Sequence, residues 1–482
     1  MGRIVVRRVL FHDTARPDRA NARSAGPGAR SAGGIGGCGS AGGRQYDDSV
    51  IDQGAPRVVP LRRRRSEWRP VAGLLAAYAA IRLLHLWFVQ QGIGVESADP
   101  MAPAEPTTML DRLGAWDGGW YVRIATDGYP DELTLLSVRD DSSAPLAFPP
   151  AYPMLMRVVG LLGMSPLVAG LLISAIAGLV AVVGVYAVAR DLVPPRAAWF
   201  VAALWAAGPM TIVLSMAYSE ALFVALAAFS LWLARRGWWL WAGVLAFLSG
   251  LTRSTGFAVG AALAVAAVLA IASARRRRVQ GALSQTDPSD PTADDALRPD
   301  TAAPTWRPIV GAALGLVGVP AWWLYVAIVG GRLDAWFTVQ EFFWGSKFDF
   351  GAALLQDGWR MLTFSGRFDP MTRLVYSASF AAMAMAVALL VLLIRRAWRE
   401  GKGSQWWPVA AYAAVLVVLA VGSDGFVASK LRFLVPMFPL LLVPAVWLAR
   451  LDRPTRTASV VGLAIATGWF GAFMLVVWPY AI

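Results

Sequence analysis

The sequence predicts an all-α polytopic membrane protein, and three observations carry that prediction. Hydrophobic residues make up 57% of the 482 residues and the mean hydropathy is +0.52, which is too apolar for a soluble domain. Long apolar runs recur without the alternation typical of a β-barrel, so helices are the expected spanning elements. Basic residues fall at every second turn between these runs. Together these features predict a bundle of about eleven transmembrane helices.

The predicted spans are apolar runs that approach about 20 residues, the length that crosses a hydrocarbon core of about 30 Å. Shorter runs are expected to cross by including polar residues at their ends. The runs are Val71–Val89, Leu167–Ala189, Ala197–Leu214, Ala221–Leu233, Trp238–Leu251, Phe257–Ala272, Ile309–Val329, Leu374–Ile394, Trp406–Val421, Leu431–Leu448 and Ala458–Trp478.

The net charge of +13 is distributed as the positive-inside rule expects. Basic clusters occur at Arg62–Arg65, Arg190/Arg196, Arg235/Arg236, Arg275–Arg278, Arg395/Arg396/Arg399 and Arg450/Arg453/Arg456. This placement indicates membrane topology and contact with anionic headgroups, and it argues against a nucleic-acid partner. The amino terminus is therefore predicted to be cytoplasmic, in a cell membrane that the chain crosses several times.

Two polar segments flank or interrupt the predicted transmembrane domain, which runs over residues 70–478. Residues 1–69 are rich in Gly, Ala, Arg and Ser, which predicts a disordered basic cytoplasmic tail or an extension upstream of the true start. The lone Cys38 lies in this tail, so no disulfide within the chain is expected. Residues 274–306 contain a low-complexity stretch that predicts a flexible cytoplasmic loop.

Two long loops are expected on the extracytoplasmic side, over residues 91–157 and 330–373. The unusual ionisable residues of the chain fall on this side, namely Asp117, Asp127, Glu220, Arg253, Glu341, Lys347, Lys430 and Arg432. Ionisable groups at the ends of spans are candidates for function. The alternative for each is a solvated or snorkelling side chain.

The stretch "WDGGWYVRIATDGYP" places Asp117 among large aromatic rings. Trp116, Trp120 and Tyr121 recur at near-helical spacing, which predicts a short helix lying along the membrane interface. Gly118-Gly119 would let a ligand approach the backbone beside the carboxylate. A carboxylate next to aromatic faces suits a sugar ring, and the alternative is an ordinary interfacial aromatic belt.

Five stretches resemble the PIG-V-type mannosyltransferases in order and spacing. They are "WDGGWYVRIATDGYP", "AFPPAYP", "MAYSEALFVALAAFSLWLARRGWW", "LAFLSGLTRSTGF" and "KLRFLVPMFPLLL". The resemblance covers roughly residues 69–478 and implies a GT-C-like fold. It also implies transfer of mannose from a polyprenyl-phosphate donor to a lipid or glycolipid acceptor on the extracytoplasmic face. Arg123, Thr255 and Ala147-Phe148 depart from the family pattern and bear on the acceptor.

The resemblance, together with the chemistry of the reaction, assigns roles to several residues. Asp117 matches the family's acidic position in the first loop and is the expected catalytic base for a single inverting displacement. Arg253 and Arg432 are the expected ligands of the leaving phosphate because a guanidinium fork suits phosphate oxygens, and Lys430 is held in reserve. Glu220 would orient Arg253 or bind sugar hydroxyls, with a structural ion pair as the alternative.

Aromatic residues complete the expected substrate-binding site. Trp116 and Tyr121 are expected to pack on the sugar, while Trp344 and its neighbours at 340–345 are expected to cover the site from the second long loop. No cofactor or metal is expected beyond the lipid-linked sugar phosphate, because the sequence has no DxD triplet. The histidines, His12 and His85, are too far apart in the predicted topology to share a zinc ion.

Three other functions stay open at this point. The first is the same fold acting on another lipid-linked sugar or on protein hydroxyls. The second is a transporter or flippase of lipid-linked sugars, for which charged or Gly/Pro-broken spans near mid-membrane would be typical. The third is a scaffold without activity. The clustering of ionisable residues at one face favours an enzyme, and the single Asn (Asn21), with no glycosylation sequon, is typical of a bacterial protein.

Overall fold

The structure, a computed structural model, describes residues 64–93, 108–135, 141–284, 305–365 and 368–481. Within these ranges the regular elements are α-helices and 3₁₀-helices, and one isolated bridge joins Phe348 to Ser423. The prediction of an all-α protein is therefore confirmed. The predicted tail lies outside the described residues except for its last six positions, and so do residues 285–304 of the predicted loop 274–306.

Sixteen α-helices occupy the described residues. They are α1 (Arg64–Gly92), α2 (Met109–Leu113), α3 (Asp117–Asp127), α4 (Ala151–Gly160), α5 (Pro166–Arg190), α6 (Pro195–Ala206), α7 (Glu220–Arg235), α8 (Trp239–Gly250), α9 (Phe257–Ser284), α10 (Trp306–Gly330), α11 (Ala335–Trp344), α12 (Ala352–Leu362), α13 (Pro370–Arg399), α14 (Trp406–Gly422), α15 (Leu442–Leu448) and α16 (Arg453–Val476). The 3₁₀-helices are Ala144–Ala147, Thr211–Ser215, Ser254–Gly256, Ala428–Leu434 and Phe438–Leu441.

Six helices of the described chain are long and apolar enough to cross a membrane, and a bent pair makes up to seven. They lie in α1, α5, α9, α10, α13 and α16, and the bent pair is Ala428–Leu434 with Phe438–Leu448. Eleven spans are therefore not confirmed. The apolar runs behind α6 and α8 form helices of 12 residues, and at 1.5 Å per residue each is about 18 Å long.

Helices α8, α9 and α10 pack against each other through glycines. A Cβ atom built on Gly243 of α8 would lie 2.6 Å from the carbonyl oxygen of Gly311 in α10. A Cβ atom on Gly260 of α9 would lie 2.6 Å from the carbonyl oxygen of Gly315. Neither approach is possible for any larger residue without moving a helix. Small residues at such crossings let helix backbones approach closely, which is how membrane helices commonly associate.

Helix α1 carries two buried polar side chains inside its apolar span. The guanidinium of Arg82 donates to the carbonyl oxygens of Ala206 and Thr211, so the cation lies where α6 ends and its last carbonyls need donors. The ring Nε2 of His85 lies 3.1 Å from the carbonyl oxygen of Ala464 in α16. Arg82 therefore bonds α1 to the end of α6, and His85 bonds α1 to α16.

The bent pair of helices changes direction by 70° between Leu434 and Phe438. The bend leaves backbone carbonyls without helical partners, and two buried side chains supply donors. Trp205 Nε1 lies 2.9 Å from the Val435 oxygen, and the Tyr412 hydroxyl lies 3.0 Å from the Pro436 oxygen. Non-helical backbone at membrane depth requires such internal partners.

The two long predicted loops carry helices and meet each other. The first contains α2, α3 and α4, and the second contains α11 and α12. Side chains of Trp336 and Gln340 in α11 donate to the carbonyl oxygen of Ala147, at 3.3 and 3.2 Å. The second loop therefore lies directly against the first, next to α3.

Candidate active site

Asp117 is the first residue of α3 and is paired with an arginine from the far end of the chain. Its Oδ2 lies 2.5 Å from Arg432 Nη1, and the two side chains are 11% and 13% exposed. Trp116, immediately before it, has a φ of 52°, in the region that favours glycine. A tryptophan held in this conformation indicates local strain, which proteins often concentrate at functional sites.

A second acid–arginine pair lies in the same region. Glu220, the first residue of α7, places Oε1 2.7 Å from Arg253 Nη1, and the Glu220 side chain is only 1% exposed. Arg253 Nη1 also donates to Ser219 Oγ at 3.0 Å, and that oxygen lies 2.8 Å from the Tyr121 hydroxyl. Arg253 is thus held between a carboxylate and a hydroxyl network.

The two pairs converge on Tyr121. The charges of Arg253, Asp117 and Glu220 all act on its phenol, and the charge of Glu220 also reaches Arg432. Burial is the main cause that raises the pKa of Tyr121 above its usual value near 10, so the hydroxyl stays protonated at neutral pH. Tyr121 can therefore donate a hydrogen bond but cannot act as the base.

Backbone and hydroxyl bonds join the motif segments to each other. The amide of Ala217 donates to the Leu113 oxygen at 2.9 Å, which links the segment before Asp117 to the segment before Glu220. The amide of Ala151 donates to the Leu251 oxygen, also at 2.9 Å. This bond links the "AFPPAYP" stretch to the stretch that carries Arg253. Motif segments that are far apart in the sequence are therefore in contact in the structure.

An aromatic cluster formed by Trp120, Tyr121, Phe148, Tyr152 and Trp344 lies beside the charged pairs. The ring centroids of Trp120 and Phe148 are 6.2 Å apart in a stacked arrangement, and Trp344 meets both rings edge-on. Tyr121 and Tyr152 are buried, whereas Trp120 and Trp344 are half-buried. The half-buried rings are the ones that a substrate could reach.

Lys430 does not join the charged pairs. Its Nζ donates to the carbonyl oxygens of Ala420 and Ser423, at the end of α14, and the residue is 2% exposed. Those carbonyls belong to a helix terminus that lacks intrahelical donors. Lys430 therefore caps α14, and the expected reserve role at the phosphate does not fit its position.

The two aromatic residues expected on the sugar occupy different surroundings. Trp116 is half-buried and packs against the main core, with no ring contact to the aromatic cluster among the residues described. Tyr121 belongs to the cluster, but it is 2% exposed and offers no open face. Trp344, expected as a cover from the second loop, lies over Trp120 and Phe148.

Ser219, Trp120 and Tyr152 also contribute to the site, and the sequence alone predicts no separate role for them. Ser219 bridges Arg253 and Tyr121, and Trp120 carries one of the two half-buried rings of the cluster. The Tyr152 hydroxyl lies 2.9 Å from Ser174 Oγ, which donates to the Tyr218 oxygen at 3.0 Å. Each of these residues lies inside one of the five stretches that carry the sequence resemblance, and only that location could have indicated its importance.

Metal-ligating residues do not gather in the described part of the chain: no three His, Cys, Asp or Glu side chains lie together there. The acidic groups at the site are paired with arginines instead. Independence from metal remains a prediction.

A family model described as dolichyl-phosphate-mannose-protein mannosyltransferase matches residues 147–284. The matched segment contains Glu220 and Arg253 but neither Asp117 nor Arg432. No curated protein matches the chain. The family match supports a membrane glycosyltransferase, and the PIG-V resemblance remains a prediction.

Solved structures of two other proteins resemble the chain at low identity. ArnT from Cupriavidus metallidurans bound to undecaprenyl phosphate is 16% identical over 82% of this chain and 63% of that one, with a TM-score of 0.41. The archaeal oligosaccharyltransferase AglB from Archaeoglobus fulgidus, in complex with an inhibitory peptide and a dolichol-phosphate, is 13% identical over 83% and 56%, with a TM-score of 0.42. This chain spans about three fifths of the length of these two proteins.

Proposed function

We propose that the protein transfers a hexose, mannose in the first instance, from a polyprenyl-phosphate carrier to an acceptor hydroxyl at the Asp117 site. The observation that carries the proposal is the pairing of Asp117 with Arg432 next to the pairing of Glu220 with Arg253. These pairs gather two carboxylates, of which Asp117 is the less enclosed, and two guanidinium groups, and this reaction requires one such base and cations for the phosphate. The match to a family named for dolichyl-phosphate-mannose adds support.

Asp117 would act as the general base. The acceptor oxygen attacks the anomeric carbon as its proton passes to the carboxylate, and the bond from that carbon to the phosphate oxygen breaks. Glu220 is almost fully buried against Arg253, and Tyr121 holds its proton. Asp117, with 11% of its side chain exposed against 1% for Glu220, is therefore the better candidate for the base. A single displacement of this kind inverts the configuration at the anomeric carbon.

Arg432 and Arg253 would hold the phosphate that leaves. Arg432 uses Nη1 to contact Asp117, while its buried Nε has no hydrogen-bond partner among the residues that the structure covers. A guanidinium can bind a carboxylate with one edge and a phosphate with another. Preorganised cations of this kind stabilise the charge that develops on the leaving group.

Two classes of acceptor are candidates for this reaction. The sequence resemblance favours a lipid or glycolipid, whereas the matched family is named for protein mannosyltransfer, which favours a Ser or Thr hydroxyl on a protein. The half-buried Trp120 ring suits the apolar face of a sugar in either case. The site is proposed to face the extracytoplasmic side, because the basic ends of the spans mark the opposite side.

The test is transfer of label from radiolabelled polyprenyl-phosphate mannose in membranes that contain the protein. Wild type is expected to label an acceptor, whose extraction into organic solvent or retention with protein distinguishes the two acceptor classes. Asp117→Asn is expected to retain the donor but to lose transfer by about 10²- to 10⁴-fold, the range for removal of a general base. Asn keeps a polar partner for Arg432.

Asp127→Asn is the matched control, because it makes the same change at the exposed last residue of the same helix. It is expected to transfer label like wild type. Full transfer by Asp117→Asn would remove the residue from the reaction. Label that crosses vesicle membranes without reaching any acceptor would identify a flippase instead.

A further inference from the structure

A cavity of about 700 Å³ lies at the basic end of the helix bundle. Helix α9 supplies one wall, and the ends of α7, α8, α10 and α14 supply the rest. The Asp117 site is at the other end of the bundle, because α7 has Glu220 at its first residue and Arg235, which lines the cavity, at its last. At 1.5 Å per residue these two positions are about 22 Å apart.

The cavity is apolar along its length and basic at its mouth. Along α9 its lining runs from Leu263, through Ala266 and Leu269, to Arg277 and Arg278. That stretch of helix is about 22 Å long, which is about the thickness of one leaflet with its headgroups. A polar ion alone would leave the apolar wall unused, whereas an amphiphile matches both parts.

The arginines at the mouth differ in what they contact. Arg235 lies 3.3 Å from Asp191 and donates to the Gln405 oxygen at 3.1 Å. Arg277 and Arg278 are exposed, and neither has an ion-pair partner within the described residues. Helix α10 also begins at this cavity, and its N-cap Thr305 makes no side-chain capping bond, so its first N–H groups add positive potential.

We propose that this cavity binds an anionic diacyl phospholipid from the leaflet at the basic end of the bundle. The phosphate would lie between Arg277 and Arg278 at the start of α10, and one acyl chain would lie along the wall from Ala270 to Leu263. The proposal requires only that the protein is embedded in a membrane, and it stands apart from the reaction proposed at Asp117.

The experiment measures lipid that stays bound to the purified full-length protein. Protein in detergent is equilibrated with equal amounts of phosphatidylglycerol and phosphatidylcholine, and the bound lipids are counted by native mass spectrometry. Wild type is expected to retain phosphatidylglycerol preferentially. Arg277→Ala combined with Arg278→Ala is expected to reduce that preference roughly 10- to 30-fold, the effect of two juxtamembrane basic residues.

Arg275→Ala with Arg276→Ala is the matched control, because it removes the same charge from the same helix at positions that do not line the cavity. It is expected to keep the preference. Ala270→Phe, which narrows the apolar wall and leaves the charge unchanged, is expected to reduce retention of phosphatidylglycerol. An unfolding temperature within about 1 °C of wild type shows that each variant has folded.

Three results would overturn the proposal. Equal losses in the two double variants would indicate nonspecific attraction by charge. Displacement of the lipid by millimolar inorganic phosphate would indicate a site for a free anion. The third result concerns the chain's own acidic segment between Ser284 and Thr305, whose five Asp residues can be changed to Asn. If wild type retained no phosphatidylglycerol and this variant did, the acidic segment would be the occupant of the cavity in the wild-type protein. The five residues are Asp287, Asp290, Asp294, Asp295 and Asp300.

Discussion

Helix α7 connects two ends of the molecule at which the charged side chains have different surroundings: buried ion pairs at one end and exposed arginines at the other. At its first residue, Glu220 and Arg253 form a buried pair next to the pair of Asp117 with Arg432. At its last residue it borders the cavity whose mouth carries the exposed Arg277 and Arg278. The contrast separates two arrangements of arginine in one membrane protein: paired with buried acids, or exposed at the mouth of a cavity.

The difference has an energetic consequence. Removing one partner of a buried ion pair leaves an uncompensated charge and costs about 3–5 kcal/mol. An exposed arginine contributes little to folding, and its replacement changes stability by roughly 0.5 kcal/mol or less. Substitutions at the paired end are therefore expected to affect activity and stability together, whereas those at the basic end affect lipid retention alone.

The largest effect that tests this contrast is expected from Glu220→Gln. The change keeps the shape of the side chain but leaves Arg253 without its countercharge, so the guanidinium is held less firmly. Transfer is expected to fall by about 100-fold, and the free energy of unfolding by about 3 kcal/mol. Retention of phosphatidylglycerol is expected to stay unchanged. Transfer assays, thermal unfolding and native mass spectrometry measure the three quantities.

Glu341→Gln is the control for that change, since Glu341 belongs to an exposed pair with Lys347 at 3.5 Å. It is expected to behave like wild type in all three measurements. If Glu220→Gln transferred sugar at the wild-type rate, Arg253 would need no orienting partner, and the proposed role of the buried pair would be wrong.

A smaller effect is expected from Trp344→Ala. This change removes the ring that α11 places edge-on to Trp120 and Phe148 and opens the aromatic cluster to water. An aromatic contact contributes about 0.5–1.5 kcal/mol beyond its buried area. We expect the KM for donor or acceptor to rise by up to about tenfold, with kcat changed less.

Trp359→Ala provides the comparison for Trp344→Ala, because Trp359 is an exposed tryptophan on the next helix of the same loop. Its loss is expected to leave both kinetic constants unchanged. A fall in kcat without a change in KM for Trp344→Ala would show that this ring acts in the chemical step and does not merely enclose the substrate.

The smallest effect is expected from Asp349→Ala, in the loop that leads into α12. Hydrogen bonds from the amides of Ala353 and Gly351 lower the pKa of Asp349 below its usual range. Such a carboxylate stabilises the fold above its ordinary pKa and loses that effect as the pH falls through the lowered value. The variant is expected to unfold roughly 2 °C below wild type at neutral pH.

The difference between Asp349→Ala and wild type should shrink as the pH falls below about 4, where the carboxyl of the unfolded chain is protonated. Thermal unfolding across a pH series measures it. If the difference in unfolding temperature grew towards acid pH, the ionised Asp349 carboxylate would not be the source of the stabilisation. Lipid retention and sugar transfer at neutral pH are expected to be the same in both proteins.

The sequence singled out Asp117 and the two arginines that the structure holds in neighbouring ion pairs, but it could not orient their neighbours. Asp117 and Arg432 are 315 positions apart, and their motifs predicted a shared site that the structure brings together. Lys430, two residues before Arg432, is predicted from the sequence to be a further ligand of the leaving phosphate, but the structure places it at the end of α14. It lies in a 3₁₀-helix with about three residues per turn, so side chains two positions apart point in different directions.

The number of spans was harder to predict than the class of fold. The apolar run Ala197–Leu214 reads as one span, yet its helix ends at Ala206, and a 3₁₀-helix follows from Thr211. Gly208-Pro209 lies between them, and Met210 has a φ of 55°. Hydropathy records how apolar a run is, but it does not record where the backbone stops being helical.

The bend between Leu434 and Phe438 means that Arg432 is aimed by backbone shape as much as by its own side chain. Trp205 and Tyr412 hold that shape by binding the two freed carbonyls, although neither belongs to the charged pairs. The geometry of the two charged pairs consequently depends on hydrogen-bond donors deep in the helix bundle. Placing the two acids and two arginines in a bundle with a straight helix at this position would reproduce the residues without reproducing their arrangement.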